Sequence, residues 1–258
     1  MSIVAIISQH SRESAALAGS TATRLGYRLV LMEDLVRATA EASHVPEGDL
    51  YRALKDLSFM DRFLWKKKLK HIAMLEQKLC ELMAGNEMVF CGYLGYPIFH
   101  EISHVLKVLV LASPAHDDVQ APNDGARASR KEAWFKKIYH AGLEDPHLYD
   151  LTLNLAHMQT AEGADIIINT LQQQRFRPMT YSMNCMCNLE LACQIRTALL
   201  DQVPDVEVKT HNGTVYVYSR AFRKGQRQKA MSVKQSVMQM RGVNYVEVCE
   251  DKSLFDNM

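Results

Sequence analysis

Five side chains able to meet an oxyanion, Ser8, His10, Ser11, Arg12 and Ser14, fall in one short polar stretch between the apolar run Ile3 to Ile7 and a helical pattern from Ala15 to Leu25. Strand, loop and helix N-terminus in that order is where a parallel α/β sheet takes phosphate. The loop amides and first-turn N–H groups converge there, and the helix dipole adds positive potential. No glycine or lysine lies between Ser8 and Ala18, whereas a working phosphate loop needs glycines for close backbone approach and a lysine for the β and γ phosphates. The stretch reads as a weak oxyanion site.

Other reactive types are dispersed. His100 and His104 are four apart, a spacing that lets two imidazoles share a helix face, yet no third ligand accompanies them. Cys185, Cys187 and Cys193 lack the fourth ligand that a soft-metal clip requires, so no metal site is expected and these read as incidental thiols. No catalytic residue is expected. Two cationic runs stand out: Lys66, Lys67, Lys68 and Lys70 in one helical pattern, and Arg220, Arg223, Lys224, Arg227, Lys229 and Lys234 in a stretch without an acid. The first is read either as a solvated face or as a phosphate or lipid site, the second either as a solvated face or as a site for an anionic headgroup, nucleotide or acidic partner.

The elements that must position these residues are legible from periodicity. Apolar runs at Tyr27–Leu31, Met88–Cys91, Val105–Ala112 and Tyr149–Asn154 alternate with helical patterns at Glu33–Ala42, Asp61–Met83, Ala126–His140 and Thr160–Gln174, with a turn at His44–Gly48. Continuous apolar strands are those of a sheet buried on both faces. The loop Gly92–Pro97 lies beyond the carboxyl end of the third strand, the edge at which open α/β sheets bind ligands. A composition change from Gln172 to Asn188 reads as a linker. Beyond it come a helix at Leu189–Val203, a hairpin turning at Asn212-Gly213, a helix at Gln226–Met240 and a strand at Val243–Val248.

At 258 residues with 48% hydrophobic and 23% charged residues, the chain is long enough for one or two globular domains. A net charge of +1 speaks against bulk capture of nucleic acid. No export signal and no membrane span is visible, and scattered cysteines suit reduced thiols, so a cytoplasmic location is expected.

The order of these elements carries a resemblance. The first loop, Leu25-Gly26-Tyr27, Gly92 after an apolar strand, the basic helix and above all Tyr149-Asp150-Leu151-Thr152-Leu153-Asn154 resemble the cytidylate kinase-like family over residues 1–175. That family's glycine-rich loop holds ATP phosphates; here every glycine of the loop is gone. Leu31 stands near the family's aspartate, Tyr93 stands where the family has an arginine, and the lid is shortened to about His116–Gly125. Arg127 and Arg130 match the family's basic helix. Residues 188–250, with Asn212-Gly213-Thr214-Val215-Tyr216 and Arg241-Gly242-Val243-Asn244-Tyr245, are similar to the BON domain, a module linked with membrane-surface interaction and ligand sensing.

The expected fold is therefore α/β: a P-loop-kinase-like parallel sheet flanked by helices (1–176), a linker (177–187), and a small α+β (αββαβ) BON-like domain (188–258). The resemblance implies a non-catalytic regulatory or ligand-binding protein. The alternative is an active cytidylate-like kinase, and only then are ATP and magnesium implied. Ser8, Ser11, Arg12, Ser14, Arg127 and Arg130 are the expected nucleotide or anion contacts. Arg220, Arg223, Lys224 and Arg227 are the expected patch for an anionic lipid or protein partner.

Overall fold

A computed structural model of the chain describes residues 2–8, 11–55, 62–94, 96–111, 124–222 and 227–249, the side chains of 11, 62–63, 96–97 and 124–129 excepted. The chain divides into two compact units, Met1–Leu57 with Gly85–Ser182, and Ser58–Ala84 with Met183–Met258.

In the first unit β1 (Ile3–Ser8) is buried at every residue. It is the centre of a five-stranded sheet with β2 (Arg28–Leu31), β3 (Met88–Cys91), β4 (Val105–Leu111) and β5 (Leu151–Asn154), in the order β2-β3-β1-β4-β5. All pairings are parallel. β1 meets β3 from Ile3–Met88 to Ile6–Cys91 and β4 from Ile3–Val105 to Ser8–Val110. Parallel strands need crossovers, and helices supply most of them: α1 (Ser11–Leu25) between β1 and β2, α2 (Met32–Ser43) and α3 (Glu47–Lys55) on the way from β2 to β3, and α5 (Asp124–Tyr139) between β4 and β5, while α6 (Thr160–Leu171) follows β5. On one face Val4, Ile6, Val108 and Leu153 pack with Leu17, Ala18 and Ala22 of α1 and Ala164, Ile167 and Leu171 of α6. Ile3, Ala5 and Ile7 alternate to the other face and are buried as well. Each large side chain so buried contributes about 1.5–3 kcal/mol relative to exposure.

Tyr149-Asp150-Leu151, part of the stretch that carries the kinase-like resemblance, has structural work at the sheet margin. The Asp150 carboxylate accepts from the Lys107 amide at 3.0 Å and pairs with its ammonium at 3.2 Å, while the Tyr149 hydroxyl donates to the Leu143 carbonyl.

The second unit has a three-stranded mixed sheet, β6 (Glu207–His211) antiparallel to β7 (Thr214–Tyr218), and β7 parallel to β8 (Tyr245–Cys249). The hairpin turns at Asn212 (φ 49) and Gly213 (φ 80), the positive pair that a type I′ turn demands. A Cβ on Gly213 would meet Asn244 Cγ at 2.9 Å and the Gly242 carbonyl at 3.0 Å. α7 (Thr180–Leu199) and α8 (Arg227–Met238) bury Ile195, Leu199, Val233 and Val237 against Val215, Val217 and Val246.

Three expectations are corrected. The turn expected over His44–Gly48 ends at Pro46, and Glu47 and Gly48 open α3, which buries Leu50, Ala53 and Leu54. Residues 180–187, expected within a linker, are the first turns of α7. Pro178 stands just outside, and the Ser182 hydroxyl accepts from the Met179 amide at 3.1 Å, an N-terminal arrangement that composition hid. α4 (Arg62–Ala84), expected with the first domain, belongs to the second unit, where it runs antiparallel to α7. Arg196 donates to the Glu76 carboxylate at 2.5 Å, the Thr197 hydroxyl to the Ala73 carbonyl at 3.2 Å, and Lys70 pairs with Asp201.

Candidate functional site

The carboxyl ends of β1, β2 and β3 bring Ser8, Leu31 and Cys91 to one edge of the first unit's sheet, where they line a crevice of about 670 Å³. α1 adds Arg12 and Ser14, α2 adds Met32 and Glu33, α3 adds Tyr51, Leu54 and Lys55, and α5 adds Arg130 and Lys131. Gly92 and Tyr93 close it. A Cβ on Gly92 would meet Phe90 Cζ at 2.7 Å and Met32 Cε at 3.0 Å, so a side chain here would have to displace the ends of those two.

The polar groups are unbalanced. Among the described residues, Arg12, Lys55, Arg130 and Lys131 line the crevice against the single carboxylate of Glu33. Apolar walls strengthen such a field by excluding solvent. Two of the cations lie over phenol rings, Lys55 Nζ at 5.3 Å from the Tyr51 centroid and Lys131 Nζ at 5.5 Å from that of Tyr93. Burial, then Glu33 and Glu47, raises the Tyr51 phenol above its ordinary value, which keeps it a hydrogen-bond donor. Burial pushes Cys91 up to about 11, with a hydrogen bond from Ser14 opposing, so this sulfur is a protonated wall rather than a nucleophile.

Tyr93 is pinned. Its hydroxyl donates to the Leu54 carbonyl at 3.3 Å, and its ring meets Trp134 edge-on, with centroids 5.5 Å apart at 87°. Trp134 Nε1 in turn donates to the Ala53 carbonyl at 2.9 Å. The two donors satisfy carbonyls at the C-terminal end of α3 that the helix itself leaves open.

Of the residues expected to contact an anion, the structure brings Ser8, Arg12, Ser14 and Arg130 to this crevice. The side chains of Ser11 and Arg127 lie outside the described residues, as do the lid at 116–123 and residues 9–10. Sequence reasoning did not single out Tyr51, Lys55, Glu33 or Lys131 as contacts. The first two sit on the unforeseen α3, whose signal was the spacing of Leu50, Ala53 and Leu54 after Pro46. His100 and His104 do not share a helix face: His100 is in a turn and His104, fully buried, immediately precedes β4. Among the described residues no group of three or more His, Cys, Asp or Glu is placed to hold a metal ion.

In the second unit Arg220 and Arg227 are exposed, while Arg223 and Lys224 lie outside the described residues. The Asp205 carboxylate accepts from the Arg220 amide at 3.1 Å and from the Ser219 hydroxyl at 2.7 Å, placing a negative group beside the basic run. The lysines of α4 have structural partners as well: Lys66 donates to the Asp201 carbonyl at 2.5 Å, Lys70 pairs with its carboxylate, and Lys68 lies over the Trp65 ring. No helix among the described residues is long and apolar enough to cross a membrane.

No family model matches the chain, and no curated protein matches it. A solved structure of an uncharacterized protein from Eubacterium ventriosum is similar to 66% of this chain and 97% of its own length, at 13% identity and a TM-score of 0.46.

Proposed function

We propose that the first unit is a binding module for a small phosphate-bearing ligand with an aromatic ring, a nucleotide-like anion, and that it holds this ligand without transferring phosphate. The observation that carries the reading is the crevice at the strand ends, where among the described residues four cations and one carboxylate line the wall beside the Tyr51 and Tyr93 rings. Cations give affinity for the phosphate, and phenol rings in an apolar wall give a surface for a planar base. The central β1 leading to α1 at this edge supports the kinase-like resemblance of the scaffold.

Several features support binding over transfer. The first loop lacks the glycines and lysine of a phosphate cradle, and phosphoryl transfer is mainly positioning and electrostatic stabilisation. The Ser14 hydroxyl is engaged with Cys91, and among the described residues Glu33 is the sole carboxylate lining the crevice. These residues do not fit magnesium-bound ATP.

Calorimetric titration of the full chain with CMP, AMP, inorganic phosphate, and ATP with and without magnesium tests the reading. Expected is saturable binding of a monophosphate that weakens with salt and falls at least tenfold in the Arg130→Gln, Lys131→Gln double variant. Absence of binding by every phosphate compound at millimolar concentration refutes the reading, as does turnover of any monophosphate with ATP at roughly 1–100 per second.

A further inference from the structure

Within the second unit, the sulfurs of Cys80 on α4 and Cys193 on α7 are 3.5 Å apart. Both residues are buried, and both are free thiols. We propose that Cys80 and Cys193 are an oxidative modification site, closing to a reversible disulfide that ties α4 to α7.

The surroundings hold the pair in place. The Glu76–Arg196 pair at 2.5 Å and the Thr197 hydroxyl on the Ala73 carbonyl at 3.2 Å lie beside it on the same two antiparallel helices and fix their register. A disulfide bond is about 2.05 Å long, so the sulfurs must approach by roughly 1.5 Å, within the reach of side-chain torsions. The neighbouring thiols on α7 offer no such partner to each other: Cys185 and Cys187 are two apart on a helix and point to different sides.

The oxidant required is a low-molecular-weight disulfide. Cys193, 9% exposed against 0% for Cys80, is the first to react. Its thiolate attacks one sulfur of the reagent, forming a mixed disulfide and releasing one small thiol. The Cys80 sulfur then attacks the Cys193 sulfur as its proton passes to the departing small thiolate, expelling the second small thiol. Two protein thiols are oxidised by two electrons, and one small disulfide is reduced to two thiols. In the reduced pair the hydrogen bond with Cys193, burial, and the nearby Glu76 and Glu190 carboxylates hold the proton on Cys80, well above the ordinary thiol range, and burial and the carboxylates persist once Cys193 has reacted. The second step is therefore the slow one, and the reduced pair persists until the reagent is supplied.

The test incubates the native full chain with oxidised glutathione, blocks remaining thiols under denaturing conditions, digests without reductant and maps the cross-linked peptides. Expected is one linkage joining the α4 peptide to the α7 peptide through Cys80 and Cys193, the loss of two of the six blockable thiols, and a higher urea midpoint that dithiothreitol reverses. Cys80→Ser and Cys193→Ser each abolish the linkage and the midpoint shift. Exhaustive oxidation that leaves both thiols blockable, links other cysteines instead, or stops at a mixed disulfide on Cys193 overturns the proposal. The map on the unaltered chain decides this even if a variant fails to fold.

Discussion

Replacing Arg196 by Met removes a guanidinium while keeping most of its apolar stem, and it leaves the Glu76 carboxylate, 3% exposed, without that partner. Breaking a buried pair from one side costs about 3–5 kcal/mol, whereas an exposed pair is worth about 0.2–1 kcal/mol. Arg196 is 33% exposed, so water screens part of the loss, and the cost is set between those limits at about 2 kcal/mol. Glu76→Gln keeps a carbonyl for the guanidinium and should cost about 1 kcal/mol. The double variant should lose clearly less than the sum, because each change removes what the other leaves stranded. Urea denaturation monitored by circular dichroism measures all three, with the transition of the second unit resolved, since two units need not unfold together. Additive losses, or an Arg196→Met cost below about 0.5 kcal/mol, would refute the view that this pair fastens α4 to α7.

Two further outcomes are expected. Burial lowers the pKa of His104 from 6.5, so the unfolded chain binds a proton more readily than the folded one; the stability His104 contributes is complete above about pH 6.5 and is lost as pH falls below it. Urea midpoints at pH 7.5 and 5.5 should show the fall, and His104→Leu should reduce it; an unchanged pH slope in that variant would exclude His104 as its source. For the second unit, the acid-free run from Arg220 to Lys234, with Met231 and Met238 exposed on α8, leads to the hypothesis that the full chain binds anionic lipid vesicles at low salt and releases them as salt rises. Equal binding to neutral vesicles, or no effect of Arg227→Gln with Lys234→Gln, would remove the patch from consideration.

The strands were legible because a strand buried on both faces must be apolar at every position: Ile3 to Ile7 and Met88 to Cys91 read no other way. Asn212-Gly213 announced its hairpin because few other pairs adopt two positive φ values cheaply. Helix partnership was not legible. The apolar stripe of α4 shows that it is covered, yet Ala73, Glu76 and Cys80 do not reveal that the cover is α7, more than a hundred positions later (113 between Cys80 and Cys193). The candidate site was half visible for a related reason. Ser8, Arg12 and Ser14 are close in sequence, whereas Tyr51 and Lys55 reach the same crevice only because α2 and α3 carry the chain back across the strand ends.

The placement of α4 has a bearing on how the chain is made. A ribosome completes α4 long before α7 exists, since residues 85–179 intervene. At about 5–20 residues per second, that is on the order of 5–20 s during which the face carrying Ala73, Glu76 and Cys80 has no α7 to meet. The first unit's sheet likewise receives β1 and β2 early and must wait for β3, β4 and β5 from beyond the same helix. Assembly of the two units is thus interleaved during synthesis, and a cut at residue 183 would sever the first turn of α7 and carry the rest of it away from α4.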